Sequence, residues 1–365
     1  MSDVQAPEAV NQDLGSLIGE ALRRRIRRRA GQAERYGGDF AELWAQMAEH
    51  AAGGKLLRPR LFLDTAEALA HGRVLDRDLL IELGVGIEML HYAFLLHDDV
   101  IDRDFRRRQG VNLLGEVRDA HPAPQSEAAR RWGTAVGILA GDLMISEVHQ
   151  IFARARVRET AGHRLLDLLD DTIQASVCGE AADVGLSVGA VDPTLSAALS
   201  MTQYKTATYS FELPLRAAAI VEGADEVTES ALTAAARHMG IAYQLQDDLL
   251  SAFGDPQRHG KESGSDFREG KQTPLIAYAR TTDWWPQIAD CLGRGDITGH
   301  DTATAHNTEQ LRALLRDCGA EQFIHNLLTQ HLSALDHLLE GSSPISAEVR
   351  RVLSVHSDAM RGRSV

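Results

Sequence analysis

The sequence predicts an all-α protein, a single-domain bundle of long helices around a central cavity. Three observations carry that expectation. Ala and Leu are abundant while alternating Val/Ile/Thr runs are scarce, which favours the helical period over the strand period. Residues 79–97, LLIELGVGIEMLHYAFLLH, are apolar nearly all round, the pattern of a helix buried in a large core. No G-x-G-x-x-G follows a strand and no P-loop occurs, so dinucleotide-binding and Walker-type folds fit poorly. No composition shift marks a domain boundary, and 365 residues fit one large domain.

Taken in order, residues 1–14 read as a disordered tail, 15–345 as the folded domain and 346–365 as a C-terminal helix or tail. Helices are expected at 15–35, 40–51, 60–71, 79–97, 132–157, 158–185, 193–221, 226–254, 307–318 and 321–340. Two internal segments break the pattern. Residues 117–131, VRDAHPAPQSEAARR, hold prolines and polar residues and read as a loop. Residues 253–274 hold four glycines, two prolines and four cations; so long a loop in a helical chain is functional or disordered.

Charge and composition exclude several functions. With 38 Lys+Arg against 52 Asp+Glu the formal charge is −14, which argues against nucleic acid and against a polybasic membrane anchor. At 44% apolar and 25% charged the chain is a globular one rather than a disordered one. No run of 18 apolar residues occurs, so no membrane-spanning helix is expected. The start MSDVQAPEAVNQD lacks the basic and apolar regions of a secretory signal. Cys178, Cys291 and Cys318 lie far apart without a C-x-x-C, so neither a disulfide framework nor a zinc site is expected, and a reducing cytoplasm is. The arginine run 23–29, broken only by Ile26, reads as a solvated helix face.

The chemistry is concentrated in acidic motifs. His97-Asp98-Asp99-Val100-Ile101-Asp102-Arg103-Asp104 follows directly on the apolar stretch. Asp98 and Asp102 are four apart and project from one helix face. Stacked carboxylates at the end of a buried helix repel unless a cation sits between them. An oxygen-only donor set suits Mg²⁺, which keeps waters and bridges to substrate phosphates. A helix cap would use an Asp or two, not four acids in seven residues. A second pair, Asp247 and Asp248, ends another amphipathic helix, with Gln244 one turn earlier. Two such helix ends facing one cavity would hold several Mg²⁺ ions and clamp a diphosphate as a leaving group. Cations flank both motifs: Arg106, Arg107 and Arg108 after the first, Lys55 and Arg58 in a Gly-rich helix start, then Lys205-Thr206, Lys261 and Lys271. A Gly-rich helix start with two cations suits an anion.

Together, GGKLLRPRL, HYAFLLHDDVIDRD, KTATYSFELPL and QDDLLSAFGDP resemble the trans-isoprenyl diphosphate synthases (polyprenyl synthetases) in motif order over roughly residues 15–340. In detail the sequence looks like the actinobacterial geranylgeranyl diphosphate synthases, and the resemblance implies the isoprenoid synthase fold and a homodimer. The resemblance implies that Asp98, Asp99 and Asp102, with Asp247 and Asp248, bind three Mg²⁺ ions and the allylic diphosphate. It assigns Arg107 to the allylic diphosphate and Arg108 to isopentenyl diphosphate. Lys55, Arg58 and His91 match the rest of the isopentenyl site; Lys205, Lys261 and Lys271 match the lysines that cover the allylic diphosphate. Thr206 and Gln244 match oxygens lining the carbocation. Asp98, Asp102, Arg107, Lys205, Thr206, Gln244, Asp247 and Lys261 are thereby the implied catalytic set, and the loop 253–274 a candidate lid.

The implied reaction is head-to-tail condensation of isopentenyl diphosphate with an allylic diphosphate. Leu56 stands where many members have Arg, and Ser251 where the second motif usually has a third aspartate, with Asp255 one turn on. Asp247, Ser251 and Asp255 also have the spacing of a class I terpene cyclase triad. A cyclase would not need the isopentenyl site that Lys55, Arg58, His91 and Arg108 supply. A silent regulatory subunit would lose one acidic motif, and both are present. Ala93 and Phe94, five and four residues before Asp98, match the family's floor positions. One aromatic beside a small residue, with Met89 and Leu90 a turn deeper, implies a C20 product over C15 or C25.

Overall fold

The computed structural model describes residues 8–51, 54–107, 110–254, 265–268, 270–293, 302–341 and 343–362. Helices α1 (Glu8–Ala33), α2 (Gly38–Ala51), α3 (Leu57–Leu69) and α4 (Arg77–Ile101) come first. A small antiparallel hairpin, β1 (Arg106–Arg107) and β2 (Gly110–Val111), leads to α5 (Leu113–Asp119), α6 (Glu127–Ala153) and α7 (Glu159–Ser187). Then come α8 (Leu195–Thr202), a π-helical segment (Gln203–Glu212), α9 (Leu213–Glu222) and α10 (Glu226–Phe253). The chain ends in α11 (Ser265–Arg268), α12 (Pro274–Ala279), α13 (Trp285–Gly293), α14 (Thr302–Asp317), α15 (Ala320–Leu338) and α16 (Ala347–Arg361). It divides into two compact units, Met1–Leu169 with Leu213–Asp225 and Asp170–Glu212 with Glu226–Val365.

In the first unit α4 packs on α6, α1 and α3. Its start is fixed by Asp76, whose side chain accepts the Leu79 N–H and satisfies one orphan donor of the first turn. Leu83, Met89, Leu90 and Ala93 have no exposed surface, as an all-round apolar helix requires. The far end of α4 is set by glycines on α6 at four-residue spacing. A Cβ at Gly137 would stand 2.7 Å from Val100, and one at Gly141 would run into the His97 ring. The arginine run is partly turned inward: Arg25 and Arg29 both reach the buried Glu147 of α6. Arg27 pairs with Glu49, while Arg23, Arg24 and Arg28 are exposed.

In the second unit α10 packs on the π segment and on α15. A Cβ at Gly240 would run into Ala207 of the π segment, so glycine is what permits that approach. Leu245, Leu249, Ile276, Ile288, Leu315 and Ile324 share one buried cluster, and Tyr278 stacks on Phe323 with ring centroids 4.1 Å apart. His238 of α10 meets His331 of α15 with their Nδ1 atoms 3.1 Å apart.

Several expected boundaries move. Helix α1 begins at Glu8, so residues 8–14 are helical rather than tail; residues 1–7 lie outside the described residues. The expected loop 117–131 shrinks to 120–126, because Asn112 caps α5 and Ser126 caps α6. The expected helix 193–221 carries a π-helical middle, and the hairpin, α12 and α13 were not foreseen, being too short to show periodicity. Of the loop 253–274, residues 255–264 and 269 lie outside the described residues. Although no unbroken run of 18 apolar residues occurs, α4 and α6 are both long and apolar enough to span a membrane by length and composition alone, since a window average tolerates scattered polar residues. In α4, 67% of that window is buried within the protein, as in a core helix.

Candidate active site

The last turns of α4 carry the first acidic motif. The Asp102 N–H donates to the Asp98 carbonyl at 2.8 Å, so the last helical turn reaches Asp102, which caps α4, and puts both residues on one face. Arg103, at φ +58°, ends the helix and turns the chain back. The Asp104 N–H then donates to the Asp99 carbonyl at 2.8 Å, and Asn112 Nδ2 donates to the Asp104 carbonyl at 2.9 Å. These bonds tie the hairpin to the end of α4 and deliver Arg107 to the aspartates. Its Nη2 donates to Asp98 Oδ2 at 2.8 Å and its Nε to Asp99 Oδ1 at 2.9 Å.

Burial differs along the motif. The Asp99 side chain is only 4% exposed, that of Asp98 21%. Burial pushes the Asp99 carboxyl above its usual range, and Arg107 opposes the shift. Burial disfavours the charged Arg107, but Asp99 and Asp98 outweigh it and hold the guanidinium protonated.

Beside this ion pair lies a cavity of about 200 Å³ whose walls include Gly54, His91, Tyr92, Asp99 and Arg107. The structure thus brings His91 and Arg107 to one cavity. Lys55 is exposed and Arg58 half-buried at the start of α3. That start is set by Leu56, at φ +52° with its side chain buried; neither cation is among the cavity-lining residues. Arg108 lies outside the described residues. Ala93 is wholly buried and Phe94 half-buried.

In the second unit, α10 presents Asp247 half-buried and Asp248 buried. Gln244 Nε2 donates to Asp248 Oδ1 at 2.8 Å, and Thr206 Oγ1 donates to Gln244 Oε1 at 2.9 Å. The Thr206 hydroxyl has spent its hydrogen, so its free side is lone pair. Lys205 Nζ sits 2.6 Å from Asp183 and 2.9 Å from Glu180, both on α7. A Cβ at Gly179 would run into the Lys205 backbone, so this glycine lets the π segment lie against α7. Ser251 is buried, its Oγ without a hydrogen-bond partner among the described residues. Lys271 is half-buried; Lys261 and Asp255 lie outside the described residues.

Glu180 and Asp183 escaped the sequence reading, although two acids three apart on a helix, directly after a glycine, are a local signal that was available. Tyr92, Asn112 and their cavity offered no such signal. Among the described residues no group of three or more His, Cys, Asp or Glu side chains is arranged to hold a metal. Asp98 with Asp102, and Asp247 with Asp248, nevertheless fit Mg²⁺, which takes one or two carboxylates and completes its shell with water and phosphate oxygens.

The polyprenyl synthetase family model matches residues 41–306. A geranylfarnesyl diphosphate synthase of Natronomonas pharaonis is 32% identical over 329 residues, covering 86% of this chain and 87% of the relative. A (2E,6E)-farnesyl diphosphate synthase of Mycobacterium tuberculosis is 31% identical over 272 residues, covering 73% of this chain and 67% of the relative. The crystal structure of a geranylgeranyl pyrophosphate synthase of Corynebacterium glutamicum, complexed with isoprenyl diphosphate and magnesium, is 26% identical with a TM-score of 0.83, over 95% of this chain and 99% of that one. The all-α fold read from the sequence is the fold of these synthases. The chain belongs to the polyprenyl synthetase family, whose motif order it carries.

Proposed function

We propose that the protein condenses isopentenyl diphosphate with an allylic diphosphate by 1′-4 head-to-tail addition, with geranylgeranyl diphosphate (C20) as its product. The observation that carries this reading is the end of α4. There the carboxylates of Asp98 and Asp99, the Arg107 guanidinium that pairs with both, and a cavity lined by His91, Asp99 and Arg107 adjoin one another.

In this reading Arg107 and Lys205 bind the allylic diphosphate, with Lys261 and Lys271. Lys55, Arg58, His91 and Arg108 hold isopentenyl diphosphate. Asp98, Asp99, Asp102, Asp247 and Asp248 would hold Mg²⁺, three ions in all, which when bound neutralises the diphosphate as a leaving group. Loss of diphosphate leaves an allylic cation, which the double bond of isopentenyl diphosphate attacks, and the released diphosphate takes the proton. The Thr206 oxygen, its hydrogen engaged by Gln244, offers lone pairs to that cation. The apolar wall of α4 excludes water, which would otherwise quench it.

Ala93 and Phe94 form the floor that sets C20, with Met89 and Leu90, both fully buried, below it. The relatives named above make C15, C20 and C25 prenyl diphosphates, so the class is common to all and the length is particular to this chain. The protein works as a homodimer, which the exposed apolar face on α6 supports, and in the cytoplasm. Incubation with Mg²⁺, isopentenyl diphosphate and each of the C5, C10 and C15 starters, with sizing of the products, is the test. Formation of C20 supports the reading. Conversion of a single prenyl diphosphate to hydrocarbon without isopentenyl diphosphate overturns it.

A further inference from the structure

We propose that Arg107 holds the place of the metal on the first aspartate motif, so that a divalent cation loads onto Asp98 only after a diphosphate has drawn the guanidinium away. The inference deepens the reading above and rests on it.

The geometry makes one guanidinium the counterion of two carboxylates. Nη2 lies 2.8 Å from Asp98 Oδ2 and 2.7 Å from Asp99 Oδ1, and Nε donates to Asp99 Oδ1 at 2.9 Å. Arg107 is held there by its backbone. Its pairing with Gly110 in the hairpin, the bond from Asp104 to Asp99 and the bond from Asn112 to Asp104 fix the strand against the end of α4. Asp99 is the inner carboxylate and Asp98 the outer one, by their exposures of 4% and 21%. A cation arriving from solvent therefore meets Asp98, and it finds an oxygen of Asp98 already taken.

Such a cation must displace Nη2 or bind beside a full positive charge. At contact separation, even with strong screening, a neighbouring like charge weakens binding by about tenfold or more. A diphosphate changes both terms. Its oxygens match the forked donors of a guanidinium; they also bring negative charge and further ligands for the metal. Each ligand then favours the other, and neither loads well alone. The same logic separates free Mg²⁺, always present in a cell, from Mg²⁺ that arrives with substrate.

The test is Mn²⁺ binding to the full chain without substrate, followed by titration calorimetry and by the loss of the free Mn²⁺ electron-spin signal. Arg107→Gln is expected to bind Mn²⁺ at least about tenfold more tightly than wild type. The double variant Asp98→Asn/Arg107→Gln is expected to lose that gain. Equal affinity in wild type and Arg107→Gln overturns the proposal, as does a gain that survives Asp98→Asn. If Arg107→Gln does not fold, because Asp99 is left buried without a cation, Asp99→Asn/Arg107→Gln removes both buried charges and carries the same comparison. The equilibrium needs no turnover, so the two readings fail separately. A wild type that makes no prenyl product sinks the proposed function. An active wild type whose Mn²⁺ affinity is unmoved by Arg107→Gln sinks this inference alone.

Discussion

Asp98 and Asp102 were legible from spacing alone, because residues four apart on a helix share a face whatever surrounds them. Their ion-pair partner was not: Arg107 is a local neighbour in sequence, but the hairpin decides which way it turns. Asp98→Ala or Asp102→Ala is expected to cut turnover by about 10³-fold or more, since each removes charge stabilisation of the leaving group. Neither change should unfold the protein. Asp98 is partly exposed, and Arg107 keeps Asp99 as partner in its absence. Steady-state kinetics with thermal melts separates the two effects, and near-wild-type turnover would remove the residue from the site. Ala93 has no exposed surface, so Ala93→Phe should destabilise by about 1–3 kcal/mol through overpacking. It is also expected to shift the product toward C15. A folded, active variant that still makes only the wild-type length would show that Ala93 is packing and not floor.

Among the elements, the π segment carries the most consequence. A π turn holds an extra residue and is frequent at functional sites; here it bears Lys205 and Thr206 against α7 and α10. Helical periodicity reads straight through such a segment, which is why 193–221 looked like one helix. Gly179→Ala pushes a methyl into the Lys205 backbone, where no flexible side chain can yield. The expected result is a lower melting temperature together with a raised KM for the allylic substrate, since Lys205 moves. An unchanged KM would separate Lys205 from that substrate. The contact between α10 and α15 has its own signature. Burial lowers the pKa of His238, and burial with the neighbouring His238 lowers that of His331. Both are therefore neutral in the folded state at a pH where the unfolded chain, near its ordinary value of about 6.5, already takes protons. Stability is then flat above that value and falls as pH drops below it and through the folded values. Denaturant midpoints from pH 8 to 5 should show this slope, and His331→Gln should flatten it. An identical slope in the variant would assign the acid sensitivity elsewhere.

For the whole molecule, the all-α class and the family were legible because both rest on patterns that survive without coordinates: apolar period and motif order. Oligomeric state belongs to this scale too. Trp132, Ile138 and Leu139 of α6 are 53%, 44% and 56% exposed, on the side away from the glycines that face α4. Leu139→Glu places a charge in the middle of this face and is expected to yield a monomer by light scattering, where wild type is expected to be a dimer. A variant that remains dimeric would move the interface off α6.

The sequence by itself determined the helical class, the family and the two acidic motifs, because helix spacing converts local order directly into a shared face. Only the tertiary structure decided which cation answers which carboxylate. Lys205 finds Asp183 and Glu180 more than twenty residues away, and Arg107 finds Asp98 and Asp99 through a hairpin too short to announce itself. The physical reason is that an ion pair forms where burial removes water and backbone turns remove alternatives. Both conditions arise from packing between elements, and no run of neighbouring residues encodes them.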